Sequence, residues 1–374
     1  MFSECLRNCY FKLHIMQIIR LLWLIIKRFC VILHVICAVR CLRANRTKTD
    51  CERNTDRMIN RTMVRTRVVQ TLFAFYQDGD KTSLTAQNEL RKSFDSTYDL
   101  YMLLLDFVNE LTSYAEGQIA QAEARAKVLH TDYVANRRFV KNRFAQQIFE
   151  NRALRNHLDN YHLDWNAGMN ATTAIHKQLL DSQFYKDYMS AETCTYEDDK
   201  KIWRTIFESI VPESEAMVEA LDEMEVVLDR SNWTTDLNVV LSYVIKTIKR
   251  FKENSTPEQE LLKEFDSNEE LKFAQDLLGY AIKGHEEYEN LINSHLKNWD
   301  AERIAYMDRI ILEVALAEIL NFPNIALEVS FNEYIELGKE YSGEKSYIFI
   351  NGILNEILRE MKQDNTLVKA VTLK

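Results

Sequence analysis

An all-helical fold is predicted for this chain, on three observations. Gly and Pro are scarce, at 8 and 3 in 374 residues. Folds rich in β-strands need frequent turn residues, so long helices joined by few loops are expected. Apolar residues recur at helical rather than alternating spacing in the clearest segments. The balance of 47% apolar and 28% charged residues is that of a globular chain and not a disordered one.

Residues 1–57 differ from the rest of the chain. They hold 11 Lys/Arg against 4 Asp/Glu, so with a whole-chain net charge of -9 the remainder carries -16. Six of the seven cysteines (Cys5, Cys9, Cys30, Cys37, Cys41 and Cys51) also lie there. The apolar stretch Leu13–Val39 is broken by Arg20, Lys27 and Arg28. Its longest uncharged run, Phe29–Val39, is too short to span about 30 Å of hydrocarbon as a helix. It ends at Arg40 without the small-residue cleavage site of a signal peptide. Three readings stand: a membrane-associated helix, a soluble extension, or translated upstream sequence with Met58 or Met63 as the working start. The joint change in composition, charge and cysteine content favours the last, and membrane association holds only if the segment is expressed. Cys37 and Cys41 find no His or Cys partner pair in the body, so no metal site is assigned. The single thiol of the body, Cys194, describes a reduced, cytoplasmic protein.

The body opens with the helix VRTRVVQTLFAFYQ, which aligns Val64, Val68, Leu72 and Phe75 on one stripe, with Val69, Phe73 and Tyr76 beside it. Asp78-Gly79-Asp80 ends it. One long helix, or two, spans 84–130. Residues 137–163 read as helical and basic at their start, and shorter helices cover 172–190, 197–209, 212–229 and 236–252. Pro257, after Asn254-Ser255-Thr256, marks a linker. Residues 268–296 suggest two antiparallel helices hinged near Gly284. Ile304–Leu320 is apolar nearly all round and predicts a central buried helix, stopped by Asn321-Phe322-Pro323. Ser330 with Glu333 reads as a capping box opening a helix Phe331–Tyr341. Ser346 is placed to cap a last helix that buries Phe349, Ile350, Ile353, Leu354, Ile357 and Met361.

No catalytic constellation emerges. The stretch from Gly338 to Ser346 has one residue too many before its lysine for a phosphate-binding P-loop, and it follows a helix where that loop must follow a strand. There is no G-x-G-x-x-G, H-E-x-x-H or G-x-S-x-G, and the eight histidines are scattered. A non-enzymatic protein without cofactor or metal is expected.

Three motifs lie without a gap in Asn298–Ile357: DRIILEVALAEIL from Asp308, NEYIELGK from Asn332 and SYIFINGIL from Ser346. Together they resemble the C-terminal half of the NusB family of transcription antitermination factors. MINRTMVRTRVVQTLFAFYQ, from Met58, is similar to that family's arginine-rich first helix. Residues from about 81 to 260, including KTIKRF at Lys246–Phe251, resemble the enlarged middle region of NusB proteins from Bacteroides-like bacteria. The resemblance implies NusB-like helical bundles divided as first helix (58–80), helical insertion (81–260), C-terminal region (261–365) and tail (366–374). It implies binding to a boxA-like single strand in nascent ribosomal-RNA leaders. The implied partners are small-subunit ribosomal protein ten (NusE) and the RNA polymerase elongation complex, with no DNA.

Arg61 and Arg65, four apart on one helical face at a helix start, suit adjacent phosphates. Thr62 stands where the family often has another arginine, and Arg67 offers a cation on a different face. By resemblance, Tyr341, Lys345, Ser346 and Phe349 line the same RNA surface, although Phe349 also fits a core position. Asp308 falls where the family turns an acid towards NusE, with a helix-surface salt bridge as the alternative. A second basic run, Arg137, Arg138, Lys141, Arg143, Arg152 and Arg155, interleaves with Phe139, Phe144 and Phe149. An ordinary amphipathic helix is the first reading of it, and an auxiliary RNA or polymerase contact the second. Two other functions remain open at this point: an accessory RNA-binding subunit of an RNA-modifying complex, and a membrane-tethered helical scaffold.

Overall fold

The structure, a computed structural model, describes residues 58–265, 267–296, 304–342 and 346–364. The expectations for residues 1–57, for the tail 366–374 and for Lys345 lie outside the described residues. All described elements are helical. No helix among them is long and apolar enough to cross a membrane.

Met58 and Ile59 are buried, and their amides donate to the carbonyls of Lys263 (2.9 Å) and Glu264 (3.0 Å). Asn60 then caps helix α1 (Arg61–Gln77), its side chain accepting from the Met63 amide at 2.9 Å. Thr82 caps α2 (Ser83–Leu129), whose 47 residues make a rod of roughly 70 Å. His130 ends it in the left-handed conformation. The basic segment after it is two short helices, α3 (Arg143–Glu150) and α4 (Arg152–Tyr161), because Asn151 closes one and caps the other. α5 (Met169–Asp181), α6 (Gln183–Ser190) and α7 (Tyr196–Thr205) follow, the last opened by a capping box from Thr195 and Asp198. A π-helical turn, Ile206–Ile210, leads to α8 (Glu215–Val227) and then α9 (Trp233–Arg250).

α2 is the spine of the middle region, with α3, α4, α5 and α9 packed along it. Two tryptophans fasten partners to its backbone. The indole N–H of Trp233 donates to the Ser96 carbonyl at 2.7 Å, and that of Trp165 to the Leu103 carbonyl at 3.1 Å. Each carbonyl keeps a second lone pair after its helical bond, so the contact leaves the helix intact.

The C-terminal region consists of α10 (Asn268–Lys283), α11 (His285–Ser294), α12 (Tyr306–Asn321), α13 (Leu327–Tyr341) and α14 (Ser346–Gln363). α12 is the central buried helix, contacted by α1, α10, α11, α13 and α14, as its apolar circumference predicts. α1 packs against α10 and α2 as well, so the first helix joins the two regions.

Two local expectations are corrected. α10 and α11 are not an antiparallel pair. Only Gly284 separates them, and i→i−4 bonds run through it from Gly284 to Tyr280 and from Tyr288 to Gly284, both 2.9 Å. The chain therefore bends and continues. Nor does Ser330 cap a helix: α13 begins a turn earlier, at Leu327. Ser330 is wholly buried and its hydroxyl donates to Glu318 at 2.6 Å, so a core partner has taken the group that a cap would use.

Glu264, beside the Met58–Ile59 pairing, carries a pH signature. Burial and the nearby Asp95 and Asp99 push its carboxyl up to about 7, although Arg91 at 3.2 Å opposes them. A raised acid binds more protons folded than unfolded, so stability falls as pH rises from about 4.5 to about 7 and is flat above. Urea titrations across that range should show Glu264→Gln flattening the slope and adding about 1–2 kcal/mol at pH 8. Parallel pH profiles for the two proteins would contradict this.

Candidate nucleic-acid interface

Of the described residues expected on one RNA surface, Arg61, Arg65 and Arg67 lie on α1 at different depths and Tyr341 meets that helix. Arg61, in the first turn, is exposed, and its guanidinium sits 5.0 Å from the centre of the Phe273 ring. Thr62, Thr66 and Gln70 follow at four-residue steps as an exposed to half-buried ridge. At the end of that ridge the Gln70 amide approaches the Tyr341 hydroxyl at 3.4 Å. The first helix thus meets the C-terminal end of α13, next to the start of α14, where Ser346 is half-buried and donates to the Ser342 carbonyl at 2.9 Å. Lys339 lies over the exposed Tyr347 ring at 5.4 Å, adding a cation and an aromatic that sequence reasoning missed. Both stand inside the family motifs, but only the α13–α14 turn brings them together.

Arg65 and Arg67 are corrected. Arg65 is 2% exposed. Its guanidinium forms a two-pronged pair with Glu318 (2.8 and 2.9 Å) and approaches Glu333 at 3.5 Å. Burial alone would raise the Glu318 carboxyl, but Arg65, Ser330 and Tyr334 hold it below its usual range. Arg67 is equally buried and donates to Gln70 (2.8 Å), Thr97 (2.9 Å) and Asp236. Neither presents a donor to a phosphate in this structure. Arg65 ties α1 to α12 and α13, and Arg67 ties it to α2 and α9.

Phe349 lies in the core, 4% exposed, so no face is open for a base to stack on. Asp308 is buried in the first turn of α12 beside the hydroxyls of Ser342 and Ser346, and burial raises its carboxyl despite them. It is no surface salt bridge. Around the same end of α12, Tyr306 is exposed and packs on Phe73 at 5.6 Å.

The second basic run is dispersed into intramolecular contacts. Arg137 pairs with Glu123 at 2.8 Å and Arg152 with Glu258 at 3.0 Å. Arg143 bridges Asp199 (2.7 Å) and Glu253 (2.6 Å), and Arg138 donates to the Tyr188 carbonyl at 2.6 Å. Arg143 thus holds α3 against α7, and Arg137, Arg138 and Lys141 precede α3 in a non-helical stretch, so the run is a set of structural contacts and only its later part is helical.

Among the described residues, no group of three His, Cys, Asp or Glu side chains is disposed to hold a metal.

Comparison with known proteins covers the C-terminal part of the chain. Residues 237–359 match the NusB family. The transcription antitermination protein NusB of Bacillus pumilus (strain SAFR-032) is 33% identical over 110 residues, which is 29% of this chain and 84% of that protein. Proteins of the same name from Koribacter versatilis (strain Ellin345) and Salinibacter ruber (strain DSM 13855 / M31) are 41% and 37% identical over 97 residues each. Those matches take in 26% of this chain and 66% and 61% of the relatives, so the chain spans less than two thirds of either. No solved structure matches it.

Proposed function

The chain belongs to the NusB family, and from that membership we propose that it is an RNA-binding transcription antitermination factor. Family members bind and do not catalyse, so no turnover chemistry is invoked. The ligand on this reading is a boxA-like single strand of a nascent ribosomal-RNA leader, bound in the cytoplasm with NusE and the RNA polymerase elongation complex.

One observation supports the surface above the others: the ridge Arg61–Thr62–Thr66–Gln70 ends against Tyr341. A cation, hydroxyl and amide donors, and an aromatic in a line are what a single strand needs for phosphate contact and stacking. Arg61 serves as the phosphate contact, with Ser346 on the α14 side. Arg65 and Arg67 set the position of α1 without touching RNA. The exposed Tyr306 ring, packed on the half-buried Phe73 near Asp308, offers an aromatic surface to NusE.

Titration of the full chain with labelled boxA-like RNA at several salt concentrations tests this. Arg61→Ala should weaken binding and lower the salt slope by about 0.7, the share of one phosphate on a single strand. Thr66→Glu should weaken binding further by placing a carboxylate on the ridge. Equal affinity of both variants and the wild type at every salt concentration would exclude this surface.

A further inference from the structure

We propose that the groove between the start of α1, the outer face of α10 and the α12–α13 turn is a base-binding subsite that carries the RNA path beyond the ridge. The inference rests on the RNA-binding reading above and adds to it a place for one unpaired nucleotide. The groove has a volume of about 360 Å³. That lies at the small end of ligand sites and suits a single nucleotide better than a helix.

Its floor is aromatic and braced. Tyr280 is 40% exposed and packs edge-on against Phe322 at 5.7 Å, while Phe322 packs edge-on against Phe273 at 5.0 Å. An exposed ring braced by Phe322, itself held by Phe273, loses little side-chain freedom on binding, which is what a stacking platform requires. Arg61 stands over Phe273 on one side, and Lys272, exposed on α10, lines the same groove. Neither cation enters an ion pair among the described residues.

Glu269 and Asp276 line the groove as well. Two carboxylates offset two cations, so the site is poorly made for a free anion. It suits a ligand carrying a phosphate and N–H donors together. The exocyclic amino groups of cytosine, adenine and guanine are such donors, and carboxylates accept from the cytosine amino group in known readout. The groove shares Arg61 with the ridge, so a strand lying along α1 reaches it with no break in contact.

The test uses the full chain and a labelled single-stranded RNA bearing the boxA-like element with flanking nucleotides on both sides, read by fluorescence anisotropy. Tyr280→Ala should weaken binding about tenfold through lost stacking, and Tyr280→Phe should stay within about twofold of wild type. Lys272→Ala should lower the salt slope by about 0.7. In an RNA with one base removed at each position in turn, one position should cost the wild type the same factor and cost Tyr280→Ala nothing more. Both residues are exposed, and unchanged helical circular dichroism confirms the fold of each variant. If Arg61→Ala and Thr66→Glu weaken binding while the Tyr280 and Lys272 variants match wild type, the groove proposal is overturned and the ridge stands. If Tyr280→Ala instead removes binding of ribosomal protein ten alone, the groove is a protein site and the proposal is again overturned. Failure of the wild type to bind any of these RNAs overturns the functional reading itself, and the groove with it.

Discussion

Glu318→Ala is expected to destabilise the fold by about 3–5 kcal/mol, the cost of leaving a buried charge without its partner. Glu318 has no exposure and takes both prongs of Arg65 together with the hydroxyls of Ser330 and Tyr334 (2.6 and 2.8 Å). Removing it leaves the guanidinium with Glu333 alone, at 3.5 Å, and takes the acceptor from two buried hydroxyls at once. Arg65→Ala should cost a similar amount, since it leaves the carboxylate behind. The double replacement Arg65→Met with Glu318→Leu should cost far less than the two single losses together, because no charge is then left unpaired. Urea unfolding of the four proteins decides the matter, and simple additivity of the single losses would refute the coupling. The pH dependence has a definite sign. A carboxyl held low in the folded state stabilises above its unfolded value near 4.5 and loses that contribution as pH falls through the lowered one. Its slope is therefore opposite to that of Glu264.

This pair also separates the arginines by role. Arg65→Ala should lower the urea midpoint while leaving the salt slope of RNA binding by the folded fraction unchanged. Arg61→Ala should do the reverse.

Trp233→Ala should cost about 3–5 kcal/mol, as truncation of a buried aromatic does. Trp233 is wholly buried at the start of α9, and its indole bond to Ser96 fixes that helix on the spine α2. Trp233→Phe keeps most of the packing and loses the bond, so it should retain most of the stability, with a loss of about 1 kcal/mol from the missing hydrogen bond and the smaller ring. The effect should reach the RNA surface. Asp236, one turn along α9, receives Arg67 of α1, so loosening α9 should weaken RNA affinity though the site of change touches no ligand. A Trp233→Ala protein as stable as wild type would show that α9 is not held this way.

Much of the helical order was legible because it is local. The stops at Asp78-Gly79-Asp80 and Asn321-Phe322-Pro323 need no distant partner; the caps Asn60, Thr82, Asn142 and Asn151 also act within three positions of themselves, although sequence reasoning missed them. The buried character of α12 was legible for the same reason: a helix without a polar face has only one place to be. The family motifs, too, are continuous stretches of chain. The depth of each charged side chain was not. Arg61, Arg65 and Arg67 have the same chemistry and lie within seven residues, yet one is exposed and two are buried. What separates them is whether a carboxylate from elsewhere arrives opposite: Glu318 is 253 positions from Arg65, and Asp236 is 169 from Arg67. Glu318, standing inside a mostly apolar helix, was a local hint that a polar partner would be buried with it.

Helical character, the starts and stops of most helices and the family are thus written in consecutive residues. Short-range hydrogen bonds and apolar periodicity suffice for those. Which arginines hold the first helix in place, and which one faces solvent, came from the packed fold alone. So did the interior positions of Phe349 and Asp308, and the groove that Tyr280, Phe322 and Lys272 share with Arg61. Burial and ion pairing depend on what folds against a residue, and that is fixed by partners far along the chain.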